Sequence, residues 1–248
     1  MAGRPDDTDA PWRSAAAQVL VGDLGAPVLE GDDAHHLGRV RRLRPGAEVC
    51  ATDGQGGWRS TTFAGGDRLD PAGDVHHEPR AEPLLTVAFA PVKGDRPELV
   101  VQKLTEVGVD RIVPLVTARS VVRWDGDRAA KQMERLRRVA QEACAQCRRL
   151  WLPEVGLGGR GTDGPVTPAD LLAALGTDGT VLGEPGGGAL AAGDRTVLVG
   201  PEGGWAPEEL AEAAGAGAGT RTLGPHVLRA ETAAIVAGAL LVTLRANA

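Results

Sequence analysis

The sequence predicts a mixed α/β fold in two parts: a small β-rich region, then a larger region of alternating strands and helices. Three observations carry this. Residues 1–78 break into short apolar segments separated by Gly, Asp and Pro turns. From Leu84 onward, apolar runs of strand length alternate with stretches of helical periodicity. Two late strands run into turns bearing Gly and Pro ahead of a helix, VLVGPEGGW at 197–205 and LGPHVLRAETA at 223–233. Such turns are where open α/β sheets bind ligands, because bare backbone approaches closely and the helix start offers N–H groups.

In the first region strands are expected at 18–21, 26–30, 48–52, 57–63 and 73–77. Residues 33–43 have helical character, with His36, Leu37, Val40 and Leu43 on one face. A small barrel of five or six strands fits this pattern. EPRAEP at 78–83 reads as a linker, which sets domains at 1–78 and 84–248. The second region opens with a strand at 84–90. A helix over 95–108 follows, with Asp95 or Arg96 at its start, Pro97 as an early helical residue and Gly108 as its stop. Next come a strand at 111–117, a long helix at 126–150 and a short helix at 171–175. Strands at 179–183 and 195–200, a helix at 207–214, a strand at 220–223 and an apolar helix at 228–245 complete it. Residues 156–168 and 186–193 read as loops. This order implies a parallel sheet covered on both faces.

The chain has 248 residues, 42% hydrophobic and 24% charged, as expected of a globular protein with a real core. No apolar run reaches the length of a membrane span, and the N-terminus is polar and acidic. Those features argue for the cytoplasm and against a membrane partner. Three cysteines, Cys50, Cys144 and Cys147, are too few for a disulfide framework. Cys144 and Cys147 form C-x-x-C inside a helix, but no convincing further ligands accompany them, so no metal is expected. The net charge of −6 argues against a nucleic-acid partner, yet its distribution argues for one. Arg39, Arg41, Arg42 and Arg44 cluster against Glu48, and residues 119–149 hold nine basic side chains against four acidic ones. Each cluster alone fits a solvated face equally well. Together they point to a polyanion.

Within the glycine turns, Glu202 and the pair Arg229 and Glu231 carry possible chemistry. Glu231 in the first turn of a helix suits the helix dipole and fits a structural cap as well. Arg229 is unfavourable at that end, so it asks for another role, such as holding a phosphate or a developing anion. Lys93 and Arg96 precede or open a helix at a strand end, where functional groups collect. Trp205, next to the glycine turn, reads as a lid or interface residue. The absence of Tyr and the presence of only two Phe exclude an aromatic base-stacking sheet.

Taken in order, KGDRPELVVQKLTEVGVDRIVPLVTARS, EACAQCRR, VLVGPEGGW and LGPHVLRAETA resemble the 16S rRNA (uracil-N3)-methyltransferase family of the SPOUT superfamily. HHLGRVRRLRPGAEV is similar to that family's small RNA-binding domain. The resemblance implies a PUA-like β-barrel followed by an α/β domain with a deep trefoil knot. It also implies S-adenosylmethionine as cofactor, held by Leu182, Gly183 and Glu184, by Val199, Gly200, Glu202 and Gly203, and by Leu223, Gly224, Val227, Leu228 and Arg229. It further implies a homodimer acting on one uridine of the small ribosomal subunit, conventionally uridine 1498. Two departures stand out: His226 replaces a usual Arg, and Ala206 replaces a usual Ser that would cap a helix.

The chemistry that follows is methyl transfer to uracil N3, with 16S rRNA as partner. Uracil N3 holds its proton at neutral pH, so the site must supply a base, stabilise the anion, or both. Arg229 is the candidate for the RNA or the oxyanion, and Glu231 and Glu202 for base or positioning residue. Arg39, Arg41, Arg42, Lys93, Arg96, Arg119 and Arg148 are the candidate RNA contacts. A non-catalytic ribosome-assembly factor and a ribose 2′-O-methyltransferase are the alternatives.

Overall fold

The computed structural model describes residues 10–29, 43–94, 96–157 and 164–247. It divides into two compact units, one holding the chain up to Arg80 together with Cys144–Leu152, the other Ala81–Ala143 with Pro153–Ala248.

The first unit carries α1 (Pro11–Ser14), β1 (Ala17–Leu20), β2 (Glu48–Thr52), β3 (Gly57–Gly65), β4 (Arg68–Pro71) and β5 (His76–His77). They form one five-stranded sheet ordered β1-β2-β3-β4, with β5 also paired to β3. The two-residue alternation of β2 explains the packing. Val49 and Ala51 point into a cluster with Ala17, Val19, Phe63 and Leu69. Cys50 points the other way, among Trp12, Trp58 and Leu150. Leu150 comes from the returning segment, which is tied down where Gln18 Nε2 donates to Arg149 O at 2.7 Å. Burial pushes the Cys50 thiol up to about 12. The strand expected at 26–30 is a single bridge between Val28 and Arg68, and the one at 73–77 shortens to β5. β4 was not expected; it pairs with β3 across the Gly65–Gly66 turn, where both glycines take positive φ. The helical character at 33–43 and His36 lie outside the described residues, Leu43 excepted.

The second unit runs β6 (Thr86–Phe89), α2 (Arg96–Val107), β7 (Arg111–Pro114), α3 (Gly126–Cys147), β8 (Glu154–Val155), α4 (Pro168–Leu175) and β9 (Thr180–Ala189). β10 (Thr196–Val199), α5 (Pro207–Gly215), β11 (Gly219–Thr222) and α6 (Ala230–Ala246) complete it. Its six strands form a parallel sheet ordered β11-β9-β10-β6-β7-β8. Every residue of β6 and β10 is buried, as strands covered on both faces require. α2 stops where Gly108 adopts a φ of 103°, and α3 stops at Cys147, three residues earlier than expected, where Arg148 takes a φ of 63°. α6 packs against α2, β6 and β10. Its far end is anchored by Arg245, whose guanidinium meets the buried Asp110 carboxylate. Asp110 also accepts the Leu85 N–H at 3.0 Å.

Residues 186–193 are not wholly the loop that the sequence predicts: β9 continues to Ala189. Its ladder with β11 jumps from Leu182 opposite Thr220 to Gly188 opposite Arg221. Residues 183–187 are thereby thrown out of the ladder as a bulge while the strand resumes beyond them. Gly187 permits the return: a Cβ there would lie 2.7 Å from the backbone of Arg221. The Arg221 side chain then clamps the exit, Nε to Asp194 Oδ2 at 2.7 Å and Nη2 to Oδ1 at 3.2 Å.

Candidate active site

Beside the β9 bulge and the C-terminal ends of β10 and β11 a cavity of about 670 Å³ opens. Three segments wall it: the β9 bulge from Gly183 to Gly187, the turn after β10, and the turn after β11 into the first residues of α6. Gly200–Pro201 and Gly224–Pro225 therefore face one space. Beneath the wall, Trp205 Nε1 donates to Gly183 O at 3.0 Å, and a Cβ on Gly200 would come within 3.1 Å of the indole ring. Trp205 is 4% exposed and belongs to the core cluster with Leu182 and Leu198. The expectation of a lid or interface residue is thus corrected. The indole holds two strand ends together because its N–H finds a strand-end carbonyl and its ring finds apolar neighbours.

Ten of the residues expected at the cofactor line this cavity: Gly183, Glu184, Val199, Gly200, Glu202, Leu223, Gly224, Val227, Leu228 and Arg229. Leu182 is 1% exposed in the core instead. The Gly203 carbonyl accepts Arg119 Nη1 at 2.9 Å. Sequence reasoning missed Pro185, Gly186 and Gly187 on the wall. The signal was the GEPGGG run itself, which places three glycines where backbone must approach a partner closely. The volume falls within the range of small-molecule sites. A Cβ added at Gly224 meets no atom within 4 Å, so the cradle holds space that a side chain would fill. With half-buried Glu184 able to accept from hydroxyls, the residues present fit a nucleoside-bearing ligand.

The two candidate carboxylates differ sharply. Glu231 is committed, its Oε1 lying 3.1 Å from Arg96 Nη1 with only 12% of the side chain exposed. Its Oε2 is buried without a hydrogen-bond partner. Glu202 is exposed and lines both the large cavity and a smaller one of about 400 Å³, whose other walls are Lys93, Arg96, Val121 and Val122. Arg229 is the N-cap residue of α6, exposed on the wall of the large cavity near exposed His226. Ala206 offers α5 no side-chain acceptor, but Glu209 Oε2 accepts the Ala206 N–H at 2.9 Å, half of a capping box.

Among the basic candidates, Lys93 and Arg119 are exposed and Arg96 opens α2. Arg148 is half-buried in the first unit and donates to Ala15 O at 2.7 Å. Arg39, Arg41 and Arg42 lie outside the described residues. Cys144 is buried, with its thiol pushed up to about 12 by burial. Among the described residues no cluster of His, Cys, Asp and Glu is placed to hold a metal. No described helix is long and apolar enough to cross a membrane.

An RNA methyltransferase domain family matches residues 80–242, and an RNA methyltransferase PUA domain family matches residues 29–69. The chain belongs to this RNA methyltransferase family. The methyltransferase is 37% identical over 231 residues to ribosomal RNA small subunit methyltransferase E of Mycobacterium bovis, covering 87% of this chain and 86% of the relative. Its counterpart in Bacillus subtilis is 29% identical over 226 residues, covering 84% and 86%. Among solved structures, ribosomal RNA small subunit methyltransferase E from Neisseria gonorrhoeae, bound to S-adenosyl methionine, superimposes with a TM-score of 0.73 at 26% identity. That match covers 92% of this chain and 97% of the other. A “probable rRNA-methyltransferase” from Porphyromonas gingivalis gives a TM-score of 0.78 at 26% identity, covering 93% and 99%. The α/β fold with a PUA-like N-terminal part and a methyltransferase part is therefore that of these enzymes.

Proposed function

We propose that this methyltransferase uses S-adenosylmethionine to methylate N3 of one uridine, the uridine 1498 equivalent, in 16S rRNA of the small ribosomal subunit. The observation that carries the reading is the single cavity shared by the Gly200–Pro201 and Gly224–Pro225 bends. The names of the relatives and the S-adenosyl methionine bound to the Neisseria gonorrhoeae enzyme support it. In the same reading, residues 1–78 are a PUA-like barrel and residues 84–248 a SPOUT domain closed by a trefoil knot. The sheet order supports the knot, since the chain leaves β10 in the middle of the sheet, crosses to β11 at its edge and returns through α6 to β6 and β10. A cytoplasmic homodimer completes the reading.

When bound, S-adenosylmethionine supplies an electrophilic methyl group on a positively charged sulfur. The chain's own work is placement and proton management. Glu184 and the backbone of the three walls hold the cofactor. Glu202, facing both cavities, takes the proton from uracil N3 onto a carboxylate oxygen and leaves the nitrogen pair free to bond carbon. Arg229 faces the developing negative charge from the cofactor side. Lys93 and Arg119 hold RNA phosphates and Arg96 a further group of the RNA, so binding to the subunit weakens steeply with added salt.

The test is incubation of small ribosomal subunits lacking the mark with the protein and S-adenosylmethionine, followed by nucleoside mass spectrometry. Appearance of N3-methyluridine supports the reading. A methyl on ribose 2′-O, or no transfer, overturns it.

A further inference from the structure

The smaller cavity lies beside the large one, and its make-up is specific. It shares Glu202 with the cofactor cavity, so the two spaces meet at one carboxylate. Val121 is 67% exposed at its wall, an apolar side chain left facing water, with Val122 beside it. Lys93 and Arg96 supply the charge. Arg96 comes from the first residue of α2, and its guanidinium is fixed by Glu231 of α6 at 3.1 Å. The first Glu231 oxygen is engaged by Arg96 and the second is buried without a hydrogen-bond partner, so this mostly buried carboxylate is directed to Arg96.

We propose that this smaller cavity is the seat of the acceptor uracil, with Val121 and Val122 against its ring, Arg96 donating to a ring carbonyl oxygen, and Glu231 acting as the positioning residue for Arg96. The assignment rests on the methyltransferase reading above and deepens it. A volume of about 400 Å³ suits one nucleotide base. Uracil is apolar on its faces and carries carbonyl oxygens on both sides of N3; loss of the N3 proton spreads negative charge onto both. A guanidinium held in place stabilises that anion with donors fixed in a planar fork. Cytosine would turn an amino group toward the same donors, which gives the site a reason to reject it. Lys93, on its exposed stem, reaches the attached phosphate. N3 then lies between Arg96 and Glu202, on the side open to the cofactor cavity.

The experiment measures methyl transfer to unmethylated small subunits and, separately, S-adenosylmethionine affinity by calorimetry for each variant. Arg96→Ala lowers kcat about 100-fold, the size expected for loss of an anion-stabilising donor, with cofactor affinity within about twofold. Val121→Asp, at an exposed position that does not load the core, raises KM for the subunit about tenfold by placing a charge against the base. Glu231→Ala costs about tenfold in the wild-type background and nothing further in Arg96→Ala, because it acts through that residue. Glu231→Gln, which still accepts from Arg96, restores most of the rate. If Glu231→Ala costs the same in both backgrounds and lowers the melting temperature alike, Glu231 is only a strut of α6 and the assignment fails. If wild type makes N3-methyluridine while Arg96→Ala and Val121→Asp keep wild-type kinetics, the acceptor site is elsewhere and the function stands. If wild type makes none, both readings fall.

Discussion

Replacing Gly224 with leucine tests whether the two glycine-proline bends form one cofactor cradle. Gly224 does not sit in the left-handed region, and a Cβ there meets no atom within 4 Å. The folded chain therefore accepts the larger side chain with stability changed by no more than about 0.5 kcal/mol, as at other uncrowded surface positions. Gly224 lines the 670 Å³ cavity together with Gly200 and Pro201, so the added isobutyl group takes up room at that wall. A ligand spanning the two bends must then give up contacts on one of them. S-adenosylmethionine affinity is expected to fall at least about 100-fold, which is about 2.8 kcal/mol. Titration calorimetry reads the affinity, and a thermal melt shows that the fold is kept. Gly193→Leu is the control: it too opens onto empty space but lies off the cavity wall. Wild-type affinity in Gly224→Leu with a normal melt would refute the single cradle.

Trp205→Phe removes the indole donor to Gly183 O and thins the core beneath the cavity, costing about 1–3 kcal/mol in urea unfolding. It should also weaken cofactor binding about tenfold; an unchanged affinity would show that the indole supports the core but not the cradle. Asp110→Ala removes the carboxylate that meets the half-buried Arg245 guanidinium, which keeps the Pro83 and Gly108 carbonyls, and deprives the Leu85 N–H of its acceptor. A loss of about 3–5 kcal/mol is expected, and a loss below 1 kcal/mol would contradict the role of α6's anchor. Burial pushes the Cys50 and Cys144 thiols from an ordinary 9.0 up to about 12. Folded protein then binds more protons than unfolded protein between those values, so stability is full below pH 9.0 and falls as pH rises toward about 12. Replacing both with Ala should flatten that decline in urea midpoints.

What the sequence made legible was periodicity and punctuation. Proline and glycine marked the ends of α2 and α5 because a ring lacking N–H and a residue lacking Cβ have few other places to go. Runs such as Val197–Leu198–Val199 announced strands buried on both faces. The bulge in β9 was not legible, because whether GEPGGG leaves a sheet or continues it depends on the neighbour, and Arg221 with Asp194 decides that from elsewhere in the chain. The short β4 escaped, and β5 came out shorter than expected, for the same reason: their hydrogen bonds are made by β3, not by their own pattern. In the site, backbone contributors were readable as glycines, whereas the division of labour between carboxylates was not. Glu231 looked equal to Glu202 until Arg96 was seen beside it.

That division has a geometric origin in α6. Successive helical residues turn by about 100°, so side chains two positions apart point in widely different directions. Arg229 stands at the N-cap position without a side-chain cap bond and lines the larger cavity, while Glu231, two residues on, meets Arg96 at the smaller cavity. One helix start thus serves two spaces, and their relative placement is as rigid as the helix. Arg245 at the other end, held by buried Asp110, keeps α6 from sliding along its axis. A shift there would move Arg229 and Glu231 together, displacing in a single motion the two groups to which the proposed reaction assigns anion stabilisation and positioning. Methyl transfer should therefore be more sensitive to loosening α6 than either cofactor binding or RNA binding measured alone, because only the reaction needs both cavities in register.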